Sequence, residues 1–405
     1  MSDEHLIEFN VLDVGSGNKP RGDVNVDLFR GAASPEKKAN NFVVADAAFL
    51  PFRDEAFDVA FSAFTIEQVK EPFRMLKEMC RVAKRKAIVR YFYKWGSGAR
   101  APHNIHRFDE KWFQTAAATL RFESVQFANS IDNPISGRLR KIFPKKIQQT
   151  SAWRHLRHFE RWLRRIRRVP LEMEAWIKKS GRRFDSAEMK FIVVYNISEA
   201  FQKYFSSSPF VSPDKVIAYQ NVNNEPLPKF YNKTVRNHLS EETWFIFCHQ
   251  DFILREDLTS RLKEKDTEAV YGPIGERLAE EHFLGQIIQT NNEPIGTPLI
   301  KDTVVQTLDA QCLIAHASVF RQGVWFDERF LFHFYDADFC MQAYIKGFDV
   351  LATQINCQHK SRTLTGDLNS PDYHESLADF KEKWKRFLPI KTSTKIVDAK
   401  ADGEV

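Results

Sequence analysis

Residues Leu12–Pro20 read LDVGSGNKP, an apolar strand pattern running into a turn that carries two glycines. Glycine accepts the left-handed backbone such a turn needs and lets peptide N–H groups approach a charged ligand closely. The dinucleotide fingerprint G-x-G-x-x-G would take Gly15 and Gly17 but place Pro20 at its third glycine, where helix and strand must pack closely. Asp27 in VNVDLF, the next strand-end acid, falls well short of the roughly 20 residues expected before a ribose-binding carboxylate in that motif. A nucleotide-like ligand is expected at this turn, and a nicotinamide dinucleotide fits it poorly.

The chain has 405 residues, 43% of them hydrophobic and 13% aromatic, enough for more than one core. It has no apolar run of the roughly 18 residues that a membrane-spanning helix needs. MSDEHLIEF at the N-terminus lacks the apolar stretch of a secretory signal. Cys80, Cys248, Cys312, Cys340 and Cys357 are scattered, with no C-x-x-C pair, which suits a reduced compartment. These features predict a cytoplasmic protein.

Charge is concentrated in one place. Between Arg138 and Arg168 stand 12 Lys and Arg against the single acid Glu160, a local excess of +11 in a chain whose net charge is only +6. Strand-like runs alternate with helical patterns on both sides of this segment, the rhythm of α/β domains. On the left, FNVLDV, DVNVDLF, NFVVAD, FDVAFSAF and KAIVRYFY predict an open, mainly parallel sheet. Ligands of such sheets bind beyond the carboxyl ends of the strands, here marked by Asp13, Gly15, Gly17, Asp27 and Asp46.

LDVGSGNKP, VNVDLF and VADAAFLPFRDEAFDVAFSAFTIEQVKEP together resemble the successive motifs of class I S-adenosylmethionine-dependent methyltransferases, with a Rossmann-like fold over residues 1–135. That resemblance implies S-adenosyl-L-methionine as cofactor. Asp13, Gly15 and Gly17 would form the turn at its methionine end, Asp27 would hold the ribose, and Asp46 with Ala47 would flank the adenine.

On the right, residues 189–390 contain the apolar run WFIFC, which delivers His249, Gln250 and Asp251 to a strand end, and later YDADF and a strand reaching His359. A strand-end carboxylate can hold a hard divalent cation that neutralises a diphosphate. VVYN, FYNKTVRNH, FCHQDF, LDAQCLIAHASVF and FDERFLFHFYDADFC resemble a family 2 glycosyltransferase of GT-A fold, the branch that writes H-Q-D for the usual D-x-D. By that resemblance Asn196 meets the nucleotide, and Asp251 and His359 hold Mn2+ or Mg2+ at the diphosphate. Asp309 would line the acceptor side, with Asp336 or Asp338 as the base.

Residues 136–188 are expected to form a basic helical connector, with Trp153, Leu156, Phe159, Leu163 and Ile166 on one face. Through residues 138–168 it could lie on the anionic inner face of a membrane; nucleic acid is a poorer fit. Residues 391–405 read as a polar tail. The joint expectation is a bifunctional transferase. It would move a sugar from a nucleotide-sugar to a hydroxyl of a glycan or lipid-linked acceptor, and it would methylate in the same surface-polysaccharide or glycoconjugate pathway. The alternative is a glycosyltransferase whose methyltransferase-like part is only a scaffold.

Overall fold

The computed structural model describes residues 11–17, 20–28, 41–94, 98–120, 122, 124–132, 170–179, 188–278, 280–360 and 368–398. The segment between Arg138 and Arg168, with its proposed amphipathic face, lies outside them, as do residues 399–405; the start of the expected polar tail instead pairs Lys391 with Ile396 and buries Val397. Among the described residues no helix is long and apolar enough to cross a membrane.

The first sheet comprises β1 (Val11–Val14), β2 (Val24–Asp27), β3 (Phe42–Val44), β4 (Phe57–Ala63), β5 (Ala83–Phe92), β6 (Ser124–Asp132) and β7 (Pro170–Lys178). Its order is β3-β2-β1-β4-β5-β7-β6. Pairs among the first five strands are parallel, whereas β7 runs antiparallel to both its neighbours. Helices α1 (Pro72–Val82) and α2 (Glu110–Thr119) cover one face. Strand order reverses between β1 and β4, and in an open parallel sheet such a switch opens a crevice at the carboxyl ends.

Strand β7 corrects the sequence reading, which assigned residues 170–178 to a helical connector. Its alternation explains the outcome. Met173, Ala175 and Ile177 join the helix-covered core, while Glu174, Trp176 and Lys178 point to the other face and are buried there. The basic segment is therefore an excursion between two paired strands of one sheet, and the first unit extends at least to Lys178.

In the second unit the strands are β8 (Met189–Tyr195), β9 (Val216–Gln220), β10 (Trp244–Cys248), β11 (Phe252–Leu254), β12 (Ala269–Gly272), β13 (Ile274–Glu276) and β14 (Leu284–Ile288). β15 (Pro294–Thr297), β16 (Thr303–Val304), β17 (Thr307–Leu308), β18 (Cys312–His316), β19 (Asp349–Ala352) and β20 (Cys357–His359) follow. A mixed sheet of order β16-β19-β12-β18-β10-β8-β9 stands beside a smaller one of order β11-β20-β14-β13-β17. Every residue of β10 is buried, which is why WFIFC is apolar throughout rather than alternating. Helices α3 (Leu227–Asn237), α4 (Tyr335–Ile345) and α5 (Pro371–Trp384) complete the unit. α4 is buried along nearly its whole length, and Phe339 stacks on Phe326 at 4.2 Å between ring centroids.

The two units share a core: Val11, Val59, Phe61, Ile88 and Trp176 of the first pack into the apolar cluster of the second. Charges are buried in the same seam. Lys86 Nζ lies 2.5 Å from Asp349 Oδ1, and Lys178 bridges Asp349 Oδ2 at 3.2 Å to Asp266. Farther along, Arg386 donates to Gly22 O at 2.9 Å and to Asp23 at 3.0 Å.

Candidate functional site

At the carboxyl ends of the first sheet the glycine turn is built as its sequence requires. Gly15 sits at φ +73°, and a Cβ there would meet Thr65 Oγ1 at 2.1 Å, so a side chain is excluded by both conformation and space. Its N–H donates to Val26 O at 2.7 Å. The N–H of Gly17 donates to Asp27 Oδ2 at 3.0 Å, which ties the turn to the end of β2. Asp13 lies beneath, 1% exposed, and accepts from Arg21 N at 2.8 Å; burial pushes its carboxyl up to about 6. It shapes the turn from within and has no surface to offer a ligand. Asp46 is exposed beside the crevice, with Oδ1 accepting from Ala48 N at 2.8 Å, and Ala47 is buried next to it.

The turn fits a ligand with a charged amino-acid end. Ser16 Oγ is buried with no partner among the described residues, an orphan that a bound carboxylate or amine would satisfy. Leu28, directly after β2, Val44 at the end of β3 and Phe49 beyond it expose apolar surface. Thr65 and Glu67 were missed by the motif reading. Thr65 closes over Gly15, and Glu67 accepts from Phe92 N at 2.6 Å while its Oε2 has no partner among the described residues. Burial raises the Glu67 carboxyl to about 7. Gln68 spends its amide on Phe64 O at 2.8 Å.

A second cluster lies at the end of β10. His249, Asp251 and His359 each turn one donor atom into a space where these atoms lie within 4.8 Å of one another. Strand pairing assembles it: β11 sets Phe252 opposite His359, and Lys360 N donates to Asp251 O at 2.9 Å. His359 Nε2 is 3.2 Å from Asp251 Oδ1 and 3.4 Å from His249 Nδ1. Burial, then the nearby His359, lowers the His249 pKa, so one of its ring nitrogens keeps a lone pair for a metal at neutral pH. For Asp251 burial acts upward, but chiefly the hydrogen bond and charge of His359 outweigh it and hold the carboxyl below its ordinary value. His249, though quoted within H-Q-D, was not counted as a ligand; its place in the strand-end triplet was the available signal. Gln250 instead clamps the end of β8, accepting from Asn196 N at 3.1 Å and Ile197 N at 3.0 Å and donating to Asn196 Oδ1 at 2.8 Å.

Helix α4 brings its first turn to this cluster, entered through Phe334 at φ +64°. Tyr335 Oη lies 3.4 Å from His249 Nε2. The next residue, Asp336, accepts from Ala337 N at 2.8 Å and from Ala310 N at 3.0 Å, beside Asp309. Burial and then the Asp309 charge push Asp336 to about 7. Asp338 corrects the pairing of the two acids in the sequence reading. It is 0% exposed, and its oxygens are taken by Lys383 Nζ at 2.6 Å, Gln342 Nε2 at 2.6 Å and Trp384 Nε1 at 2.9 Å. Facing Lys383 and Trp384 of α5, it anchors the helix.

Residues 23–90, from β2 through most of β5, match the family model described as a methyltransferase domain. The first unit contains a methyltransferase domain. Over 86 residues the chain is 34% identical to a demethylmenaquinone methyltransferase of Renibacterium salmoninarum, covering 18% of this chain and 36% of that protein. The chain thus spans about a third of the length of the curated relative it matches. Among solved structures, a SAM-dependent methyltransferase of Thermotoga maritima aligns at 18% identity and TM-score 0.30, over 44% of this chain and 84% of its own. GalNAc-T7 with UDP, GalNAc and Mn2+ aligns at 8% identity and TM-score 0.35, over 49% of each chain. At these TM-scores neither likeness bears on activity.

Proposed function

We propose that the chain combines two transferases: an S-adenosylmethionine-dependent methyltransferase in the first unit, through Lys178, and a metal-dependent, inverting glycosyltransferase from residue 188 onward. The domain match and the Gly15–Asp27 turn support the first. One observation carries the second: a cluster of two imidazoles and one carboxylate beside Asp336, with Tyr335 linking them through His249.

In the methyltransferase crevice the N–H groups of the glycine turn would meet the amino-acid end of S-adenosylmethionine, and Asp27 would accept from its ribose hydroxyls. Bound there, the cofactor supplies an electrophilic methyl group. Asp46 and Ala47 would border the adenine, with Phe49 and Val44 as apolar walls.

In the second unit His249, Asp251 and His359 would hold a divalent cation, which supplies charge neutralisation for a diphosphate leaving group. The mixed nitrogen and oxygen donor set favours manganese over magnesium. Asn196, fixed by Gln250, would orient the nucleotide. Asp336 would accept the proton of the acceptor hydroxyl as that oxygen bonds to the sugar C1 and the C1–O bond to the nucleoside diphosphate breaks. With its carboxyl raised to about 7 by burial and Asp309, it is basic enough to take that proton near neutrality. Asp309 would border the acceptor, a glycan or a lipid-linked sugar. For a lipid-linked acceptor, the basic residues between Arg138 and Arg168 would hold the enzyme at an anionic membrane surface; sedimentation with anionic liposomes tests that point.

The test is thermal shift of the full chain with S-adenosylhomocysteine, and with UDP, dTDP, GDP and CDP with and without Mn2+. Stabilisation of about 2.7 kcal/mol is expected at 100 times the dissociation constant. Shifts with S-adenosylhomocysteine and with one manganese-bound nucleotide support both activities. Absence of either shift removes the corresponding half.

A further inference from the structure

A cavity of about 60 Å³ lies in the seam between the two units, lined by Arg21, Arg90 and Arg277 with the single carboxylate Glu174, and walled by Trp176 and Tyr344 among other groups. It belongs to neither crevice described above. A cavity of roughly 10–15 Å³ holds one water, so this space accommodates a few waters or one tetrahedral oxyanion.

Its lining carries three guanidiniums and one carboxylate. Glu174 gives Oε1 to Arg90 Nε at 2.8 Å and Oε2 to Trp176 Nε1 at 3.0 Å, so both oxygens are occupied. Arg277 reaches Glu280 Oε1 at 2.8 Å through one terminal nitrogen, while its Nε is buried without a partner among the described residues. Arg21 and Arg90 stand over the same Phe61 ring, at 5.4 and 6.0 Å from its centroid. Burial, followed by the Arg90 charge, lowers the Arg21 pKa, against the opposing charges of Asp13 and Glu174. Several guanidiniums in a partly desolvated site are unfavourable until an anion completes them, and their planar donor forks match oxyanions bidentately.

We propose that this interdomain cavity binds a small tetrahedral oxyanion, inorganic phosphate or a phosphomonoester, held between Arg21 of the first unit and Arg277 of the second. Arg21 N is bonded to Asp13 beneath the glycine turn, and Tyr344 lies on α4, whose first turn carries Asp336. The anion therefore ties together the elements that carry both crevices. The inference does not depend on either transferase activity.

Isothermal titration of the full chain, in chelator, with inorganic phosphate and separately with glycerol phosphate tests it. Saturable binding is expected, retained in Asp251→Ala and weakened at least about tenfold in Arg21→Gln and Arg277→Gln, equivalent to 1.4 kcal/mol. Preference for glycerol phosphate identifies a phosphomonoester, and equal binding identifies the free anion. Hydrogen exchange of the unmodified protein supplies a readout that needs no variant: added phosphate should slow exchange in residues 172–178 and 304–306. No saturable heat with either ligand, binding unchanged in both arginine variants, binding lost in Asp251→Ala, or unaltered exchange would overturn the proposal.

Discussion

His359 Nε2 stands 3.2 Å from Asp251 Oδ1, at the end of the β11–β20 pair, where Asp251 immediately precedes β11 and His359 ends β20. Two groups so placed form a ready pair of metal ligands, and His249 makes a third. Asp251→Ala should therefore abolish manganese-dependent stabilisation by the nucleotide while leaving the response to S-adenosylhomocysteine intact. His249→Ala should weaken manganese binding by at least about 10–100-fold, the loss found when a group that only supports a metal ligand is removed. Unchanged manganese titration in both variants would reject the cluster as a cation site.

Asp336 and Asp338, two residues apart on one helix, should respond oppositely to amide substitution. The Asp336 carboxyl is raised to about 7 in the fold, so its stabilising contribution is complete below about pH 4 and is lost as pH rises through 7. Asp336→Asn removes that penalty. Without metal the variant should match the parent near pH 4 and exceed it above pH 7, by up to about 4 kcal/mol, with glycosyl transfer abolished. Urea unfolding across pH 4–8 measures the difference, and a flat difference would contradict the raised pKa.

Asp338→Asn has a structural outcome. It leaves the buried Lys383 with Asp327 alone, at 2.7 Å, and breaking such a pair costs about 3 kcal/mol. The expected phenotype is a lowered melting temperature, with nucleotide affinity retained by the folded fraction. Full stability with lost transfer would return Asp338 to the reaction.

Gly15→Ala and Asp27→Ala test the turn at the first sheet. The alanine Cβ would overlap Thr65, with backbone strain of about 1–3 kcal/mol added at its positive φ, so S-adenosylhomocysteine binding should disappear. Asp27→Ala frees the Gly17 N–H and should weaken binding by about 1.5–3 kcal/mol. Calorimetric titration distinguishes these outcomes from no effect.

The seam predicts cooperative unfolding. Asp349 is buried between Lys86 and Lys178, and Asp349→Ala strands the Lys86 ammonium and leaves Lys178 with Asp266 alone, at a cost of about 3–5 kcal/mol. Calorimetry of the unmodified chain should show one transition; two well-separated transitions, one unaffected by the substitution, would show that the units are not thermally coupled.

Local chemistry made part of this legible in the sequence alone. The LDVGSGNKP turn, the acid ending VNVDLF and the continuously apolar WFIFC announce themselves, because positive φ, strand ends and burial in a sheet each restrict residue types within a few positions. An α/β fold for the first unit follows from that spacing. Tertiary structure decided the rest. Residues 170–178 alternate strongly enough to be a strand, yet only their pairing with β5 and β6 across a long excursion makes them part of the first sheet. Asp13 and Asp27 both belong to strand-end motifs, but packing buries one and leaves the other beside the crevice. Asp336 and Asp338 are equivalent as helix-start acids until α5 brings Lys383 to one of them. His249 and His359 become neighbours only through the β11–β20 register. The arginines of the seam lie far apart in the chain, and no local pattern marks their convergence. Such juxtapositions depend on contacts between remote segments, whose free energy is set by the whole packed core.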